Sequence, residues 1–156
     1  MSWDAIGAMG EWAGAIAVFV SLIYLAVQTG NNTRALRSAA FHQVRASFSE
    51  VSLAMYQDPS AVLLSSRVHN NEPDLTEEEI ARYALLLTTF VRRGESAYFQ
   101  STDGSLQLEA WEGIRETILH PLSTEVGREW WTTVQTRFTK EYVDVLSSAL
   151  DEKLSS

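Results

Sequence analysis

Glu11 is the one charge between Ala5 and Val27 in "GAMGEWAGAIAVFVSLIYLAVQ", a run starting at Gly7. An ionised carboxylate in hydrocarbon costs several kcal/mol unless it finds a partner, water or a proton. Three kinds of chemistry are open to Glu11. It can bond to a neighbouring subunit, line an aqueous path for cations or protons, or snorkel towards an interface marked by Trp3. A second polar group stands in "FVRRGESAYFQ", where Arg92, Arg93 and Glu95 interrupt an apolar helix beside Gly94. One helical turn brings Glu95 within reach of Arg92, or lets it pair with another helix. That is ion-pair chemistry that sets packing or subunit contact rather than catalysis.

No other residues are spaced for a reaction. The chain has no cysteine, no G-x-S-x-G, no phosphate-binding loop and no G-x-G-x-x-G. Its three histidines, His42, His69 and His120, lack metal-ligand spacing, and no Glu-x-x-His pair suggests a di-iron bundle. The expectation is therefore a non-enzyme with no catalytic residues, no metal and no cofactor. Net charge is −8 over 156 residues. An acidic body of this kind lacks the clustered Lys and Arg that nucleic-acid binding needs.

The elements that carry these residues follow from hydropathy. A mean hydropathy of −0.09 looks soluble, but the apolar residues concentrate at the N-terminus. A bilayer core takes roughly 20 such residues as a helix, and a buried soluble helix of that length shows a polar face. The leader "MSWD" has an acid and no basic residue, unlike the positive start of a signal peptide. Residues 1–29 thus read as a transmembrane helix with a short leader. Gly7, Gly10, Gly14, Ala17, Ser21, Tyr24 and Gln28 recur at steps of three and four along one stripe, opposite a bulky face. Close backbone approach along small residues is how helices associate in lipid, so the stripe reads as a helix–helix interface. Arg34, Arg37 and Arg45 follow the span, and basic flanks favour the cytoplasm. The N-terminus is placed outside and residues 30–156 inside.

For the cytoplasmic part, "TGNNT" is expected to break the helix, with Gly30 or Asn31 ending the span and Thr33 or Asn32 capping a second helix to about Tyr56. Leu36, Ala40, Val44, Phe48, Val51 and Met55 give that helix an apolar face. A short helix over about 60–68 follows Pro59. Then "TEEE" forms a capping box that opens a helix from Thr76 to about Gln100, with Ile80, Tyr83, Leu87, Val91 and Tyr98 inward. "STDGS" turns the chain. Helices are expected over about 106–119, stopped by Pro121, then over about 124–138 and 140–153, with Thr139 capping the last. No segment alternates like a strand. The fold class is all-α: one N-terminal transmembrane helix, then a bundle of about five to six helices.

Trp3, "IG" at Ile6, "GE" at Gly10, "GA" at Gly14, "SLIYLAVQ", "NTRALR", "RRGESAYFQ" and a Trp-containing tail resemble a group of short, uncharacterised bacterial proteins. The resemblance implies one N-terminal span, a helical soluble part and a bacterial inner membrane, but no activity. Three functions fit these readings. The first is a self-associating scaffold or regulatory module. The second is a homo-oligomeric pore with a ring of Glu11 residues. The third is an accessory subunit docked on another membrane protein. The partners in all three are the lipid bilayer and either a homo-oligomer or another membrane protein, with no nucleic acid.

Overall fold

The computed structural model describes the backbone of residues 3–155 and the side chains of residues 11, 12 and 14–155. Among the described residues there are six α-helices and no strand: α1 (Trp3–Gln57), α2 (Pro59–His69), α3 (Glu77–Thr102), α4 (Leu108–Leu122), α5 (Glu125–Val134) and α6 (Lys140–Ser155), with a 3-10 turn at Gln135–Arg137 before α6. The chain forms two compact units, Met1–Ser38 and Ala39–Ser156.

The described residues of the first unit are helix alone. The break expected at "TGNNT" is absent, and α1 runs on through Gly30. A glycine inside a helix costs about 1 kcal/mol relative to alanine, whereas ending and restarting a helix needs a new unfavourable nucleus. A glycine C-cap also requires positive φ, which among the described glycines only Gly104 adopts. Thr33 caps nothing: its hydroxyl donates back to the Thr29 carbonyl at 3.0 Å. Leu36, expected on an apolar packing face, is 70% exposed.

In the second unit, α1 supplies buried Val44 and Val51, with Phe41 and Phe48 against the same core. Asp58 stops α1 and caps α2, accepting from Ser60 N–H at 2.9 Å with Pro59 in the first helical turn. The Thr76–Glu79 capping box at the start of α3 forms as expected: the Glu79 carboxylate accepts from Thr76 N–H at 2.8 Å, and Thr76 Oγ1 accepts from Glu79 N–H at 3.3 Å. Ile80, in the first turn, is 41% exposed rather than inward, while Tyr83, Leu87 and Val91 are buried.

The bundle centre is α3 packed on α4, with α5 and α6 closing over them. Ile118, Leu119, Leu122, Tyr142 and Leu146 complete a core that includes Trp111 and Trp131. Pro121 does not stop α4. It sits inside the last turn, and the helix ends one residue later at Leu122. A proline that late removes a single backbone donor. Thr124 then accepts from Gly127 N–H at 3.0 Å to open α5.

Candidate functional site

Two places concentrate unusual residues: the apolar length of α1 and the polar knot on α3. In α1, an 18-residue window reaches a mean hydropathy of 1.5 with none of it buried within the chain. Ten large apolar residues from Trp12 to Val27 are 51–73% exposed. On the small stripe, Gly14 has open space where a Cβ would stand. Ala17, Ser21, Tyr24 and Gln28 are exposed, and Ser21 bonds to its own helix at the Ala17 carbonyl, 2.8 Å away. Glu11 is exposed in the same helix. Gly7 and Gly10 lie outside the residues whose surroundings are described. Arg34 is exposed beyond the apolar length. Arg45 belongs to the second unit, where its guanidinium stands 5.6 Å from the Phe41 ring centroid.

The knot on α3 is a clamp on α6. Glu95, 14% exposed at its side chain, divides its two oxygens. Oε1 accepts from the Thr139 N–H at 2.8 Å and from the Thr139 hydroxyl at 3.0 Å, while Oε2 accepts from Arg92 at 3.1 Å. A carboxylate from α3 thus meets the N-terminus of α6, the end where a helix favours negative charge. Thr139, expected to cap α6, stands just before it with its carbonyl accepting from Val143 N–H at 3.0 Å, while its hydroxyl donates to Glu95. Arg92 also lies over the Phe138 ring, 4.4 Å from its centroid. Arg93 turns the other way and reaches Glu50 of α1 at 3.5 Å.

Gly94, between them, is buried because Tyr142 and Ile118 occupy the place of its side chain. The Tyr142 hydroxyl donates to the Val91 carbonyl at 3.1 Å. Burial, and secondarily the negative charge of Glu95, raise the Tyr142 pKa well above that of a free phenol. Arg92, Glu95, Ser96 and Thr136 border an open groove here, and both Glu95 oxygens in it are engaged by Thr139 and Arg92. The arrangement holds two helices together.

Two groupings escaped sequence reasoning. His69 and His120, at the C-terminal ends of α2 and α4, stack with ring centroids 4.6 Å apart. His69 Nδ1 lies 2.7 Å from the Ser65 carbonyl and so carries the proton. No third ligand joins them, and among the described residues no group of three or more metal-ligating side chains exists. Arg67 gathers the loop before α3: it donates to Glu72 at 2.9 Å and to the Asp74 carbonyl at 2.9 Å, and also pairs with Glu79. The Glu72 bond is the chief reason its pKa is raised. Basic residues on one side of "NNEPD" and acids on the other were the available signal for Arg67. The histidine pair had none, since its members are far apart in the chain.

An all-helical chain with one N-terminal helix long and apolar enough to cross a membrane is the class that this geometry defines. Compared with known proteins, the chain matches no family model, no curated protein and no solved structure.

Proposed function

We propose that this chain is a single-span protein of the bacterial inner membrane that associates with copies of itself and serves as a scaffold or regulatory module, without catalysis. The observation that carries the reading is the exposure of the apolar length of α1. Ten large side chains, each more than half exposed, would cost on the order of 10 kcal/mol in water, as much as the whole stability of an ordinary domain. Lipid on the bulky face and a second helix on the small face account for both sides. Gly14, with nothing near it, leaves room for close backbone approach. Arg34 and Arg37 just beyond the span favour the orientation with the N-terminus outside and the bundle in the cytoplasm.

Native mass spectrometry of the purified full chain in mild detergent tests this. A defined homo-oligomer is expected, and Gly14→Leu is expected to reduce it. A monomer under all conditions refutes self-association and moves the reading to a subunit anchored beside a different membrane protein. The exposed Glu11 carries a second reading, a pore lined by its carboxylates. That reading requires Glu11→Gln to change conductance in planar bilayers while leaving assembly intact.

A further inference from the structure

Within the second unit, α1 and α4 leave a groove of about 510 Å³ between them. Phe41 and Phe48 form one wall, and Ala110 and Ile114 form the other; all four also pack against the core. Midway along the α4 wall stands Gly113, which meets nothing within contact distance where a Cβ would be. A glycine inside a helix weakens it relative to alanine, and nothing in the folded chain requires one at Gly113. Its bare backbone instead leaves the α4 ridge low enough for another helix to approach closely.

The walls also carry opposite charges. Arg45, on the α1 side, lies against the Phe41 ring and has no carboxylate partner among the described residues. Glu109, on the α4 side, has neither a cation nor a hydrogen-bond donor among them. An anionic ligand in the groove would meet Glu109 and a cationic one would meet Arg45, so neither charge class suits it. A twofold axis resolves the conflict. Rotating the groove onto itself sets each Arg45 against the other copy's Glu109, the self-complementary arrangement of an isologous interface.

We infer that the groove receives α4 of a second copy, so that the two α4 ridges cross at Gly113 and each Arg45 pairs with Glu109 of the other copy. The inference rests on the self-association proposed for the span but adds a separate contact, in water, where burial of apolar surface drives docking. The groove contact acts as the second of two linked contacts, strengthened because the span already holds the copies together.

The absence of cysteine makes the test clean, since introduced thiols are the only ones present. Full-length Arg45→Cys and full-length Glu109→Cys are co-expressed in native membranes and mildly oxidised, with Ala17→Cys in the span run in parallel. The expected result is a disulfide-linked species at twice the chain's 17.4 kDa from the co-expressed pair, stronger than from either variant alone. If Ala17→Cys cross-links and the co-expressed pair does not, the groove contact is refuted and the span contact stands. If neither cross-links, both fall.

Charge reversal supplies an independent readout, since both residues are exposed, and urea titration of each variant separates any loss of fold from a loss of pairing. Arg45→Glu should lower the association constant of the dimer by roughly three- to thirtyfold, the loss of two exposed ion pairs. Arg45→Glu combined with Glu109→Arg should restore it. A double variant no better than the single one overturns the pairing.

Discussion

Replacing Gly94 with alanine puts one methyl group where the bundle has no space for it. The added Cβ would stand 2.5 Å from Tyr142 Oη and well inside contact with Ile118 Cδ1. Both neighbours are fully buried, so neither can swing into solvent. Helix propensity alone favours the change by about 1 kcal/mol. Against it, forcing a methyl into filled space costs about 1–3 kcal/mol. Moving the Tyr142 hydroxyl off the Val91 carbonyl leaves a buried polar group unpaired, for roughly another 1–3 kcal/mol. The balance is a destabilisation of about 3 kcal/mol, within a range of about 1–5. Urea titration of the full chain in mild detergent, followed by fluorescence of the buried Trp111 and Trp131, reads this as a lower midpoint at unchanged slope. Tyr142→Phe removes one of the two atoms that clash, leaving Ile118 Cδ1, so the double variant should lose less than the two single losses added, with a coupling of about 1 kcal/mol. A Gly94→Ala variant as stable as the parent would refute the claim that Tyr142 and Ile118 dictate glycine there.

Other perturbations follow from the same geometry. Glu95→Ala strips the N-terminus of α6 of its acceptor and should lower stability by about 2 kcal/mol in the same urea titration, the worth of charge-assisted bonds; Glu95→Gln, which keeps an acceptor, should lose less, and equal losses would mean that the carboxylate's place opposite Thr139 is unimportant. Thr76→Ala removes the cap of α3 and should cost about 1 kcal/mol, with hydrogen exchange fastest over the first turn of that helix; protection unchanged there would count against the cap. Acid should weaken the bundle. Asp58 is held below its usual pKa first by the Ser60 hydroxyl, Glu79 by the Thr76 N–H and Asp103 by the Ser105 hydroxyl. The unfolded chain therefore takes up protons first as pH falls, so this stabilisation is full above about pH 5 and is lost as pH drops through the ordinary carboxylate values towards the lower folded ones. Urea midpoints that stay flat from about pH 6 down to about pH 3 would contradict that sign.

How far these features could be read beforehand depends on how local their causes are. The Thr76–Glu79 box and the Asp103–Gly104 turn were legible because every partner lies within a few residues, and the apolar α1 stretch because hydropathy is a property of the residues themselves. "TGNNT" misled because its residues suit a cap but do not force one. Without proline, a helix already under way continues more easily than a new one starts. Pro121 misled in the opposite way, since its cost depends on how many turns remain after it. Of the knot, Arg92 with Glu95 was within reach of reasoning along one helix. Glu95 with Thr139, 44 residues apart, needs the packing of α6 on α3, which no local spacing encodes. The same holds for His69 and His120, and for the groove at Gly113.

The clamp between Glu95 and Thr139 also has a consequence for biosynthesis. Translation delivers α3 and α4 before α6, so for a time the nascent chain holds a vacant slot over Gly94, rimmed by Val91 and Ile118, with an unfilled carboxylate at its edge. Any message cut short upstream of Thr139 would produce a chain permanently in that state, sticky along one seam and open to chaperones and proteases. Docking of α6 is thus the step that closes the seam, because Tyr142 fills the slot over Gly94 and Thr139 takes up the carboxylate.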